Sequence, residues 1–220
     1  LGPVRVTAGG LMPPRRVLVG TYVAFGIAVL AGLYLVAITG PELLLVGVAS
    51  IAAGVLYTGG PRPYGYEGLG EVFVFLFFGV VAVVGTYYVQ ALELPWEAFA
   101  LSVPVGLLAS AILVVNNVRD ADTDRRAGKR TLAVRLGRER ARSLFAAMLA
   151  VSYLSVLAIP LAGGLSWWVA LPLLSLPLAL PLWRTVRERT DGPALNGALA
   201  DMGRLLAVFS LLLAAGILLS

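Results

Sequence analysis

Asn116, Asp120 and Asp124 recur at positions i, i+4 and i+8, just ahead of the cationic run Arg125-Arg126-Ala127-Gly128-Lys129-Arg130. On a helix that continues past Val115, these three side chains differ in direction by only about 80° around the axis and share one stripe. Asn117 flanks that stripe, and Asp122 points elsewhere. Carboxylates a turn apart repel one another unless a cation sits between them. Hard oxygen ligands suit Mg²⁺, which commonly takes one or two carboxylates and completes its shell with water and phosphate. Acids that hold a metal beside cations that hold anionic oxygens form a composite phosphate site. Gly128 suits a tight turn that folds Lys129 and Arg130 back toward the acids. An EF-hand is excluded, because Arg125 stands where glycine is required and Thr131 where glutamate is required. The alternative from pattern alone is a solvated helix end of mixed charge.

A second segment, from Tyr57 to Glu71, sets Tyr57, Tyr64, Tyr66 and Arg62 among glycines and prolines. Such a run suits a rigid pocket wall with Arg62 as an anion contact. The tyrosines equally suit an aromatic belt at a membrane interface.

The elements that carry these residues follow from composition. Of 220 residues, 59% are apolar and 13% charged, and mean hydropathy is +0.90. Soluble domains are nearer 45–50% apolar and about 25% charged. The expected fold is therefore all-α, a polytopic transmembrane helical bundle. With no cysteine and no histidine, disulfide frameworks, thiolate chemistry and imidazole-dependent hydrolysis are excluded. Any metal must sit on oxygen ligands.

Seven apolar runs stand out, near residues 17–38, 43–57, 72–92, 98–115, 143–161, 167–183 and 205–219. Most approach the roughly 20 residues that cross a bilayer. The second is short, and Pro172, Pro177 and Pro181 predict a kink in the sixth. Alternating connections put all 17 Lys and Arg residues on one side, which the positive-inside rule assigns to the cytoplasm. For Arg138, Arg140, Arg142, Arg184, Arg187 and Arg189 that orienting role suffices. No ionisable residue lies near the middle of a span, which argues against a transporter and puts chemistry at the cytoplasmic face. Residues 1–16 carry no apolar signal-peptide core.

Three segments carry a resemblance: Leu1-Gly-Pro-Val-Arg-Val-Thr-Ala-Gly-Gly10, Tyr57–Glu71 and Asn116–Gly137. Together they are similar to the UbiA superfamily of intramembrane aromatic prenyltransferases, most closely its MenA-type branch. The resemblance implies nine helices and two Asp-rich motifs that bind Mg²⁺ bridging a prenyl diphosphate. Asn116, Asp120 and Asp124 match the second motif, while the first normally precedes the stretch matching Leu1–Gly10. Residues 1–220 are thus expected to form a single prenyltransferase domain, a C-terminal fragment lacking the first two helices and first motif.

The implied reaction transfers a polyprenyl group from an allylic diphosphate to 1,4-dihydroxy-2-naphthoate, with loss of CO₂, in menaquinone biosynthesis. Mg²⁺ is the implied cofactor. Asp120 and Asp124 are its implied ligands with Asn116 assisting, and Lys129, Arg130 and Arg62 hold the diphosphate. Tyr57 and Arg62 resemble a Y-x-x-x-K-type element, and Asn117, Arg119 and Tyr64 are further substrate contacts. The implied partners are these two substrates and the lipid bilayer, without nucleic acid, in a bacterial plasma membrane. Other acceptors (homogentisate, 4-hydroxybenzoate or haem), a non-catalytic remnant and a transporter subunit are the competing readings.

Overall fold

The computed structural model describes residue 4 and residues 6–220. Leu1, Gly2, Pro3 and Arg5 lie outside the described residues, and with them part of the Leu1–Gly10 segment and one of the cationic side chains. Among the described residues every regular element is helical. Six helical stretches among them are long and apolar enough to cross a membrane, one fewer than the seven apolar runs, because the second run forms a shorter helix. The chain divides into two compact units, one up to Gly54 and one from Val55.

The first unit holds α1 (Pro14–Thr39) and most of α2 (Glu42–Thr58). No residue of α1 is buried, and Leu18, Tyr22, Ile27, Leu30 and Tyr34 are all exposed. A helix apolar on every face suits lipid, not water. Its two threonines are satisfied internally: Thr21 and Thr39 donate to the carbonyls of Val17 and Leu35 at 2.9 and 2.6 Å. That economy is required where no water can substitute. At 17 residues α2 falls short of a full span, as expected.

In the second unit, α3 (Gly70–Val74) runs through a π-helical turn (Phe75–Val81) into α4 (Ala82–Ala91). After Pro95 comes α5 (Trp96–Arg126), then the short α6 (Leu132–Leu136) and α7 (Arg138–Leu161). A 3₁₀ stretch (Trp167–Ser175) leads into α8 (Leu176–Glu188), and α9 (Gly192–Leu218) closes the chain. The proline-rich sixth run thus changes helix type rather than simply bending, because Pro172 and Pro177 each remove an amide donor. Two helices outrun their apolar stretches. α5 extends from Val115 to Arg126, and α9 begins at Gly192, capped by Asp191, whose carboxylate accepts from Ala194 N at 3.0 Å.

The long helix α5 is the axis of this unit, packed by α7, α9 and the π turn. Leu108, Val114 and Val118 of α5 join Phe145 and Val156 of α7, and Met202 and Phe209 of α9, in one buried cluster. The π turn approaches α5 through glycine. A Cβ on Gly79 would lie 2.5 Å from Gly106 Cα, so neither position admits a side chain. Close contact through small residues is how helices associate where lipid competes for apolar surface.

Candidate functional site

The carboxyl end of α5 is shaped by the turn that stops it. Gly128 takes φ +73°, and Lys129 N donates back to Asp124 O at 2.9 Å. The reversal brings Lys129 Nζ to 3.4 Å from Asp124 Oδ1 and 4.6 Å from the centre of the Tyr66 ring. Charge pairing and the ring's electron-rich face both favour the ammonium there. Arg130 N donates to Tyr66 O at 2.8 Å, and Arg135 spans Glu67 at 2.6 Å and Arg130 O at 3.0 Å. The two segments singled out in the sequence, 57–71 and 116–137, are therefore joined into one surface.

Within α5 the network centres on Arg119, which is 7% exposed. Its Nε and Nη2 donate to the two carboxylate oxygens of Asp120 at 2.8 and 2.6 Å. Nη2 also donates to Asn116 Oδ1 at 2.8 Å, and Nη1 to Asn196 Oδ1 of α9 at 2.7 Å. Four of the five guanidinium N–H groups are thereby committed, three of them to holding Asn116 and Asp120 in fixed rotamers and the fourth to Asn196. A buried charge requires this degree of compensation.

Beside this network Asn117 Nδ2 donates to Glu71 Oε1 at 2.7 Å, and Ser110 donates to Glu71 O at 3.0 Å. Tyr57 meets Tyr64 edge-on at 5.4 Å, Tyr64 stacks on Phe73 at 3.9 Å, and Phe73 on Phe77 at 6.1 Å. Desolvation pushes the Tyr64 phenol above its ordinary pKa, so it stays neutral at physiological pH.

The expected residues divide into three groups. At the end of α5, Asn116, Arg119 and Asp120 form one bonded set, Asp124 and Lys129 a second pair and Asn117 a third with Glu71, with Tyr57 and Tyr64 on the adjoining aromatic wall. Asp122 points outward to Arg138 at 3.0 Å and Arg125 at 3.8 Å, in keeping with its off-stripe direction. Arg62 and Arg130 are exposed, and neither forms an ion pair among the described residues. Sequence reasoning missed Glu71 as a site residue, although a lone acid opening an apolar span was the available signal. It also missed Asn196, which lies in the part of α9 that precedes the apolar run.

A divalent cation fits the donor chemistry of this end in a limited way. No cluster of three acids or other classical ligands is present among the described residues. Asp120 and Asp124 sit one turn apart with 20% and 12% of their side chains exposed. Both carboxylates also pair with a cation of this chain, Asp120 with Arg119 and Asp124 with Lys129, so they suit a largely hydrated Mg²⁺ shared with phosphate and not an all-protein cage.

Comparison with known proteins sets this geometry in context. Residues 2–198 match the UbiA prenyltransferase family. The chain is 43% identical to the 1,4-dihydroxy-2-naphthoate octaprenyltransferase of Mycobacterium leprae, over 100% of this chain and 74% of that protein. It is 44% identical to the protein of the same name from Mycobacterium tuberculosis, over 97% of this chain and 72% of that one. A more distant likeness, 36% over 71% of this chain and 46% of the other, is to UbiA prenyltransferase domain-containing protein 1 of Mus musculus.

Proposed function

The chain belongs to the UbiA prenyltransferase family, and we propose that it transfers a polyprenyl group from an allylic diphosphate to 1,4-dihydroxy-2-naphthoate, a step toward menaquinone. The names carried by its bacterial relatives support this acceptor. The observation that carries the reading at the level of residues is the end of α5, where Arg119 pins Asn116 and Asp120 while Lys129 folds back on Asp124.

In the reaction the allylic C–O bond breaks and its electron pair leaves on pyrophosphate. A carbon of the electron-rich ring forms the new C–C bond, and the carboxyl group departs as CO₂, returning its bonding pair to the ring. The leaving charge is the main electrostatic demand, and fixed cations meet it best when they need not reorganise. Lys129 is already held in place, and Arg130 and Arg62 are free to close on anionic oxygens. Asp120 and Asp124, with Asn116, would hold Mg²⁺, which when bound screens diphosphate charge. Asn117 and Arg119 fix the polar floor, and Tyr57 and Tyr64 supply an aromatic wall that keeps water from the reacting carbon. This end of the bundle faces the cytoplasm, where the exposed arginines attract both anionic substrates.

The test is an acceptor competition with the full-length protein in detergent or nanodiscs. A labelled polyprenyl diphosphate is offered with 1,4-dihydroxy-2-naphthoate, homogentisate and 4-hydroxybenzoate together. The expected outcome is naphthoate-dependent release of pyrophosphate and a prenylated naphthalene product. Preferential labelling of another acceptor would overturn the substrate assignment. Pyrophosphate release without any acceptor dependence would overturn the transfer reaction itself.

A further inference from the structure

Glu71 is 4% exposed. One carboxylate oxygen accepts from Asn117, while the other, Oε2, is buried with no hydrogen-bond partner. Among the described residues two other buried side-chain atoms share that condition, Thr131 Oγ1 and Arg142 Nε. Arg142 already spends its remaining nitrogens on Glu139 and Arg189 O, each at 2.6 Å, and Thr131 precedes the short α6. Among the described residues Glu71 is the one buried acid that leaves half of a carboxylate uncompensated. An acceptor withdrawn from water without a donor is costly, and more so when it is ionised. The positive end of the helix that begins at Gly70 offsets part of that cost but supplies no donor to Oε2.

The surroundings describe what would supply one. Glu71 is pinned at both ends to α5, through Ser110 to its backbone and Asn117 to its side chain. Gly70 beside it faces the phenol of Tyr57, whose oxygen lies 3.5 Å from where a Cβ would stand. Tyr57 opens the ring series that continues through Tyr64 and Phe73. A flat aromatic ring carrying a hydroxyl matches both halves of this description, since the faces pack and the O–H donates to Oε2. An anionic substituent is repelled from the same spot, which turns a ring carboxylate away from Glu71. Asn117 precedes Asp120 by three residues, about 4.5 Å of helix rise. A ring seated there lies within one turn of Asp120, one of the residues assigned to the metal.

We propose that Glu71, oriented by Asn117, is the hydrogen-bond acceptor that recognises a ring hydroxyl of the aromatic substrate and so selects hydroxylated acceptors. The inference rests on the prenyl-transfer reading above and adds to it a residue that sets acceptor specificity.

The experiment compares 1,4-dihydroxy-2-naphthoate with its two monomethyl ethers on the full-length protein. Each is measured for binding and for KM at saturating polyprenyl diphosphate. In the unmutated protein one ether, lacking the O–H that Glu71 reads, binds about ten- to a hundredfold more weakly than the parent. Glu71→Gln keeps the shape but presents an amide donor. It raises the acceptor KM by a similar factor, erases the discrimination between parent and that ether, and leaves the diphosphate KM within about twofold. Equal binding of both ethers to the unmutated protein would overturn the proposal, and that comparison stands even if Glu71→Gln does not fold. A variant in which both KM values rise together would also overturn it, since that marks a structural role. If the preferred acceptor is 4-hydroxybenzoate and Glu71→Gln still raises only the acceptor KM, the naphthoate reading fails and this one survives.

Discussion

From Trp96 to Val115, α5 buries Ala98, Leu108, Ala111, Val114 and Val115. From Asn116 to Arg126 it buries Asn117, Arg119 and Asp124 alongside Val118 and Ala121. The first half is held by shape, with Gly106 pressed against Gly79 of the π turn. The second is held by pairing, with Arg119 bound to Asp120, Asn116 and Asn196. In the apolar half, away from Ser110 and its bond to Glu71 O, apolar substitutions that keep volume cost little, because dispersion has no direction. In the polar half exchanging one atom leaves a buried group without its partner. One helix thus carries two kinds of constraint, and only the second is specific enough to do chemistry.

The comparison is broken most sharply by Asp120→Ala. Prenyl transfer is expected to fall by roughly 10³-fold with expression retained, as read by labelled product at saturating Mg²⁺. Near-normal turnover would remove Asp120 from the site. Arg119→Lys tests whether the fork geometry matters, since an ammonium cannot reach Asp120, Asn116 and Asn196 together. We expect about a hundredfold loss of turnover, with a lowered melting temperature in detergent. Gly106→Leu tests the other half. It is expected to cost about 1–3 kcal/mol of stability by thermal melting, while substrate KM values of the surviving folded fraction stay unchanged. Lys129→Ala is expected to raise the diphosphate KM by about tenfold and leave the acceptor KM unmoved.

The smallest effect lies at the start of α9. Asp191 is held below the ordinary carboxylate range by its hydrogen bond from Arg189 and then by the N–H of Ala194. A depressed folded pKa means that its stabilisation is present above the unfolded value of about 3.9. The stabilisation is lost as pH falls through the lower folded value. Asp191→Asn should therefore flatten the acid limb of the melting temperature between pH 5 and about 3 without altering turnover at pH 7.

The lipid-facing architecture was readable because apolar runs declare themselves by length, and α1 needed little else. The polar half of α5 was legible as a stripe, since the spacing of Asn116, Asp120 and Asp124 is a property of the helix itself. What it touches was not legible. Asn196 arrives from α9, seventy-seven residues away in sequence from Arg119, and no local pattern encodes that meeting. Glu71 sits at the edge of a span whose apolar character dominates the reading, so its carboxylate draws no assignment of its own. The change of helix type after Trp167 was likewise hidden. Prolines announce a break but do not say which hydrogen-bond ladder replaces the lost one.

Lys129, held between Asp124 and the Tyr66 ring, is the single lysine among 220 residues that include sixteen arginines. An amine-reactive label therefore has one side chain in this sequence to modify, and that side chain belongs to the proposed site. Its acylation rate, read by mass spectrometry, becomes a direct gauge of occupancy: an anion that claims the ammonium slows labelling, and its departure restores it.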